Sequence, residues 1–163
     1  MVQGWFARVD SDYRDFIQAL LMGDVWAMNE YMNRVALGTF SFFDKNGREP
    51  ERFYHGFVLG LIVELEGRYL VRSNRESGFG RYDVMLMPRE PGKDDGIILE
   101  FKVHNFRQEG SMQETAKAAL LQIKEKRYAE ELLECGLPPE RIQMYGFAFR
   151  GKEVWIERAG GGG

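Results

Sequence analysis

The sequence predicts an α/β fold in which a mixed central sheet of about five strands is flanked by helices, with a helical extension at the N-terminus. The first fifty residues carry helix start and stop signals, after which short strand-like segments follow from about residue 68. A long amphipathic segment separates the third predicted strand from the fourth. Such a crossover permits parallel pairing of those two strands, whereas short connections favour an antiparallel meander for the first three.

Two helices are predicted in the N-terminal extension, over residues 12–22 and 25–37. Asp24 is a suitable N-cap for the second helix. Gly23 and Gly38 are placed where a C-terminal glycine ends a helix. The extension, residues 1–50, is therefore expected to pack on the core as a small helical layer.

The core is predicted over residues 51–157, followed by a flexible glycine-rich tail at 158–163. It opens with a buried helix at about 51–66, which is apolar on nearly every side. Strands are predicted at 68–72, 82–87, 97–103, 142–149 and 154–157. The crossover helix is predicted over 111–134, because Ser111 and Glu114 form an S-x-x-E capping box.

Composition describes an ordinary folded domain. The chain has 163 residues, of which 44% are hydrophobic and 29% charged, so a sizeable core can form. Its single cysteine excludes an intrachain disulfide and fits a reducing compartment. No secretory signal is seen, and the longest apolar run is shorter than the ~20 residues that span a bilayer, so a cytoplasmic protein without a membrane partner is expected. A net charge of −3 argues against strong non-specific binding of nucleic acid.

The third predicted strand is apolar except at Glu100 and Lys102, which lie on one face because strand side chains alternate. The neighbouring strand carries one acidic residue, Asp83. Two carboxylates with a backbone carbonyl make a hard oxygen site for Mg²⁺ or Mn²⁺. A lysine beside them can orient or deprotonate water, or stabilise charge on a phosphate. A buried structural ion pair explains the same pattern, and periodicity alone leaves both interpretations open.

Two segments make the sequence resemble the PD-(D/E)xK phosphodiesterase superfamily: Gly80-Arg81-Tyr82-Asp83-Val84 and Ile98-Leu99-Glu100-Phe101-Lys102. The chain looks closest to the nuclease-like domain found C-terminal to predicted AAA-type ATPases. That closer resemblance depends on the strings at residues 41–44, 53–56, 73–78 and 122–128. It extends over about residues 1–157, and it departs from the superfamily name at Tyr82, where the name has proline.

The resemblance implies a restriction-endonuclease-like core and metal-dependent hydrolysis of phosphodiester bonds in nucleic acid, with DNA as the expected substrate. Asp83 and Glu100 would hold Mg²⁺ or Mn²⁺, and Lys102 would be the catalytic lysine. Gln122 matches a glutamine often found on the helix after the third strand. An AAA-type ATPase domain is the implied partner, and a homodimer would suit cutting of both strands.

Four further residues are candidates with two interpretations each. Glu76, expected in a loop, is a third metal carboxylate or a partner of a neighbouring arginine. Arg81 contacts a substrate phosphate or forms an ion pair with Glu76. His55 binds substrate or is a hydrogen-bonded histidine in the core. Glu64 is the obvious acidic residue on the helix before the first strand, although no motif surrounds it.

A function of another class fits the same residues. The domain would keep the nuclease fold without catalysis and serve as a module for regulation or protein interaction beside an AAA-type ATPase. The acidic net charge and the uncertain further ligand motivate this alternative. Binding of nucleic acid without cleavage is a third hypothesis, which predicts an affinity that falls as salt is added.

Overall fold

The computed structural model describes residues 14–40, 60–76, 81–104, 110–125, 128–150 and 153–159. The helices are α1 (14–22), α2 (Val25–Phe40), α3 (60–65), α4 (Met112–Glu125) and α5 (Ala129–Glu134), with a 3₁₀ turn at Pro139–Arg141. The strands are β1 (Tyr69–Glu76), β2 (Arg81–Pro88), β3 (Gly96–Val103), β4 (Ile142–Arg150) and β5 (Glu153–Arg158).

The five strands form one sheet in the order β1-β2-β3-β4-β5. The pairs β1–β2, β2–β3 and β4–β5 are antiparallel, whereas β3 and β4 are parallel. Helices α4 and α5 lie in the connection between the two parallel strands. The predicted mixed sheet with flanking helices is confirmed, including the meander and the helical crossover.

One face of the sheet is mainly apolar and packs against α1, α2 and α3. Each of the three helices contributes fully buried residues to it, among them Phe16, Met32 and Leu61. Helix α2 also covers the outer edge of β5, where the amide of Asn29 accepts from Ile156 N at 2.7 Å and donates to Ile156 O at 3.0 Å. The helical layer thus satisfies backbone groups that an edge strand would otherwise expose.

The other face lies under α4 and α5. Ile123 and Leu132 pack there on Met85 and Ile98, forming a second apolar cluster. Gly146 permits the close approach of α4, because a Cβ at this position would overlap the carbonyl oxygen of Ala116. The absence of a side chain at Gly146 therefore determines how near α4 lies to β4.

Several capping predictions agree with the structure. Asp24 accepts a hydrogen bond from Ala27 N at 3.1 Å, and Gly23 has a φ of 77° at the end of α1. Ser111 Oγ accepts from Glu114 N at 3.2 Å. The carboxylate of Glu114 accepts from Gly110 N at 2.7 Å, one residue earlier than the reciprocal bond of a capping box.

Two helix boundaries were predicted wrongly. Gly38 does not end α2, which continues to Phe40, since glycine inside a helix costs only about 1 kcal/mol. The crossover helix is two helices, with a turn at Tyr128 between them. A continuous helix would place Arg127, four residues after Ile123, on the buried stripe. The break brings Leu132 onto that stripe instead, where it is fully buried.

All five strands are longer than predicted, four of them by only one or two residues. β1 runs to Glu76 and β5 to Arg158. Within the described residues, no helix is long and apolar enough to cross a membrane. The boundaries of the helical extension, the core and the tail stay predictions.

Candidate active site

The two carboxylates predicted from the sequence lie directly opposite each other on β2 and β3. Asp83 and Glu100 are Cα partners in the antiparallel ladder. Such partners have Cβ atoms about 4.5–5.5 Å apart and point to the same side of the sheet. Both side chains are buried, with exposed fractions of 7% for Asp83 and 2% for Glu100. The structure therefore brings them together on the face that α4 covers.

Lys102 lies on the same face, two residues after Glu100, and is partly buried. Its Cα partner on β2 is Arg81, the first residue of that strand. Lys102 is thus on the outermost described rung of the β2–β3 ladder, while Asp83 and Glu100 lie two rungs further in. The lysine and the two acids share one face of the strand pair.

Two carboxylates buried side by side repel each other and favour a bound cation. Glu100 takes part in other polar interactions, yet its Oε2 atom is buried and accepts no hydrogen bond from the described residues. Hard divalent cations such as Mg²⁺ and Mn²⁺ prefer carboxylate oxygens of this kind. The pair Asp83 and Glu100 therefore fits such an ion chemically. Within the described residues no group of three or more His, Cys, Asp or Glu side chains forms a metal site.

Helix α4 closes the face above these residues. Gly146 is the β4 partner of Glu100, so a close contact between α4 and the sheet lies in the same row as the carboxylate. Gln122 follows Thr115 by seven residues and Ala119 by three, which places it on the same flank of the helix as those two buried residues. Gln122 is partly buried.

Sequence reasoning missed His104 and Thr115. His104 follows β3 directly and is 7% exposed, and its Nδ1 lies 2.6 Å from Thr115 Oγ1 on α4. The signal was present, because His104 continues the alternation of Glu100 and Lys102 along one strand face. Gly146 was missed as well, since a glycine in a strand does not reveal which helix approaches it.

The remaining candidates are not brought to this site by the described residues. Glu76 was predicted in a loop, but it is the last residue of β1, and its Cα partner is Arg81. The side chains of both residues, and all of His55, lie outside the described residues. Glu64 is on α3, which packs on the opposite face, and its carboxylate lies 3.8 Å from Arg14 Nε.

Comparison with known proteins identifies the type of fold that carries this arrangement. A family model described as the PD-(D/E)XK nuclease superfamily matches residues 49–159, more than half of the chain. The matched segment includes all five strands as well as Asp83, Glu100 and Lys102. Comparisons with curated proteins and with solved structures gave no match.

Proposed function

This chain belongs to the PD-(D/E)XK nuclease superfamily, and from that premise we propose that it is a metal-dependent nuclease that hydrolyses phosphodiester bonds in DNA. One observation carries the proposal: Asp83 and Glu100 are buried opposite each other, with Lys102 two rungs along the same ladder and on the same face. Burial of two adjacent acids costs stability, and a site that needs them for a cation gives a reason for that cost.

Asp83 and Glu100 would hold Mg²⁺ or Mn²⁺, which neutralises charge on the phosphate and on the leaving oxygen when bound. Lys102 would orient the attacking water, take up its proton when the amine is neutral, or stabilise the charge that develops on the phosphate oxygens. Because its side chain reaches the face from the end of the ladder, it can meet a phosphate without being a metal ligand. In this proposal the two acids hold the ion that neutralises charge, and the lysine orients the reactants.

Other residues complete the proposed site. Gln122 lies on the flank of α4 that faces β3 through Thr115, so its amide is in a position to hydrogen-bond a water or a phosphate oxygen. Glu76 is proposed as a further metal carboxylate. Arg81 and His55 are proposed as substrate contacts, from the resemblance and from the backbone position of Arg81 opposite Lys102.

The proposal is tested by incubating the purified chain with linear and circular DNA, single- and double-stranded, in Mn²⁺ or Mg²⁺. Cleavage that EDTA abolishes is the expected result. Asp83→Asn and Glu100→Gln should lose both cleavage and Mn²⁺ binding measured by calorimetry. Glu64→Gln is the matched control, since it neutralises an acid on the opposite face and should cleave as wild type. Absence of EDTA-sensitive cleavage on every DNA would refute the proposal for this chain.

A catalytically silent module for regulation or protein interaction, beside an AAA-type ATPase, is the second candidate function. It is favoured by the finding that the described residues group only two carboxylates, without a third metal ligand. Calorimetry separates the two functions. A chain with Asp83 and Glu100 intact and no measurable Mn²⁺ affinity supports the module.

Sedimentation of the chain alone and with DNA tests the proposed homodimer.

A further inference from the structure

We infer that His104 is a positioning residue whose hydrogen bond to Thr115 fixes the location of the Lys102 ammonium. The inference rests on the proposed function only in naming Lys102 as the reacting cation. The location of that amine can be measured without any cleavage, so the two ideas fail in different experiments.

The bond connects two buried side chains from different elements. His104 is 7% exposed and Thr115 is fully buried, and the distance from Nδ1 to Oγ1 is 2.6 Å. The backbone of His104 is held on the other side, where its N donates to Phe149 O at 2.7 Å. The residue after β3 is therefore anchored both to β4 and to α4.

Thr115 connects His104 to the start of α4. Its Oγ1 is hydrogen-bonded to His104 Nδ1, with the donor set by the histidine tautomer, and lies 3.3 Å from Ser111 O. The chain of bonds runs from His104 through Thr115 to Ser111, the residue whose Oγ caps α4. The end of β3 is thereby tied to the first turn of the helix.

Lys102 is the residue of the site that depends most on this tie. Its Cα partners are Arg81 on β2 and Ala148 on β4, and it lies only two residues before His104 on the same strand face. Glu100 lies two rungs further in, four residues before His104. Lys102 is therefore the nearer of the two to the point where the His104 side chain is anchored to α4. Loss of the bond should displace Lys102 more than Glu100.

The direct test is the rate at which Lys102 is acetylated by acetic anhydride, measured by peptide mass spectrometry on the full chain. Thr115→Val and His104→Leu should raise that rate several-fold. Thr115→Ser keeps the hydroxyl and His104→Asn keeps a donor, so both should stay near the wild-type rate. The exposed Lys117 and Lys124 on α4 are internal standards.

A second measurement uses turnover of DNA in Mn²⁺. Thr115→Val should lower kcat roughly ten-fold or more, while KM and Mn²⁺ affinity stay close to wild type, because the acids remain inside the ladder. Ile17→Val, in the core of the opposite face, is the control for a general loss of stability and should retain its kcat. Thr115→Ala replaces the valine variant if that variant does not fold.

An unchanged acetylation rate at Lys102 in folded variants that lack the bond overturns the inference, whatever the cleavage results. A wild-type chain that cleaves no DNA refutes the proposed function instead. The acetylation rates still decide the role of His104 in that case.

Discussion

Among the described residues, buried acidic side chains occur in two places that are similarly shielded from water but differently arranged. Asp94, 7% exposed, lies 2.5 Å from the guanidinium of Arg68 at one end of the sheet. Asp83, also 7% exposed, has a second buried carboxylate, Glu100, as its partner in the ladder. Equal burial therefore carries no information about role. What differs is the residue beside each acid: a guanidinium lies beside Asp94, and a second buried carboxylate is the ladder partner of Asp83.

The end of the sheet that holds Arg68 and Asp94 contains further structural ion pairs. Arg141 Nε lies 2.9 Å from Asp95 Oδ1 and also donates to Pro91 O, while Gln143 links Asp95 to Arg158. Each cation there has an acid or a carbonyl within hydrogen-bond distance. The contacts join the loop before β3 to the start of β4, so their effect is to fix strand ends.

The largest expected effect concerns Lys102. Lys102→Ala should lower the rate of DNA cleavage about 100-fold or more while Mn²⁺ affinity is retained, because the ammonium is not a metal ligand. In EDTA the melting temperature should change little, since the lysine is only partly buried. A structural counter-ion would instead cost on the order of 3–5 kcal/mol on removal. Severe destabilisation, without a metal-induced rise in wild-type melting temperature, would make the site an ion pair like Arg68–Asp94.

Gly146→Ala tests whether the close approach of α4 is needed at the acid pair. The added methyl group meets the backbone carbonyl of Ala116, which cannot rotate away, so α4 must shift. Overpacking of this kind costs about 1–3 kcal/mol, and urea denaturation should report the loss. The matched control is Gly92→Ala, where a Cβ meets nothing within 4 Å and stability should be nearly unchanged. An equal stability of the two variants would contradict the packing argument.

The comparison of the two acids is sharpest in a pair of isosteric substitutions. Asp94→Asn removes the charge that Arg68 binds and should cost about 1–2 kcal/mol, reduced because the arginine is half exposed. Asp83→Asn relieves repulsion with Glu100 and should leave metal-free protein as stable as wild type or more so. Melting temperatures in EDTA measure both. Equal destabilisation by the two substitutions would show that Asp83 is a structural acid as well.

The smallest expected effect is a loss of folding stability at alkaline pH, caused by ionisation of Tyr69, which lies beside Arg68. Burial, followed by the charge of Asp94, raises the pKa of Tyr69 to about 12. The neutral phenol is thus favoured in the folded state, so its contribution is complete below pH 10 and is lost as pH rises towards 12. By linkage the loss should reach about 1 kcal/mol at pH 11. Tyr69→Phe should flatten the decline in urea-unfolding free energy between pH 9 and 11, and an unaltered slope would contradict it.

Much of the fold was predictable because its signals are local. The caps at Asp24 and Ser111, the glycine after α1 and the alternation in β3 each depend on a few neighbouring residues. The break near Tyr128 and the continuation of α2 past Gly38 were not predictable. The break depends on which side chains the sheet can accept, a property that appears only when α4, α5 and β3 are assembled. The continuation of α2 reflects the small cost, about 1 kcal/mol, of a glycine inside a helix.

The sequence by itself determined which chemical groups are available: Glu100 and Lys102 alternate within an apolar strand, and a neighbouring strand carries Asp83. The register between the strands was decided by tertiary structure, since a slip of one residue would send the two acids to opposite faces. The tie between His104 and Thr115 was decided there too, because it joins a strand end to a helix start across a connection. Residue types follow from the chain alone, whereas distances between strands follow from packing both faces of the sheet at once.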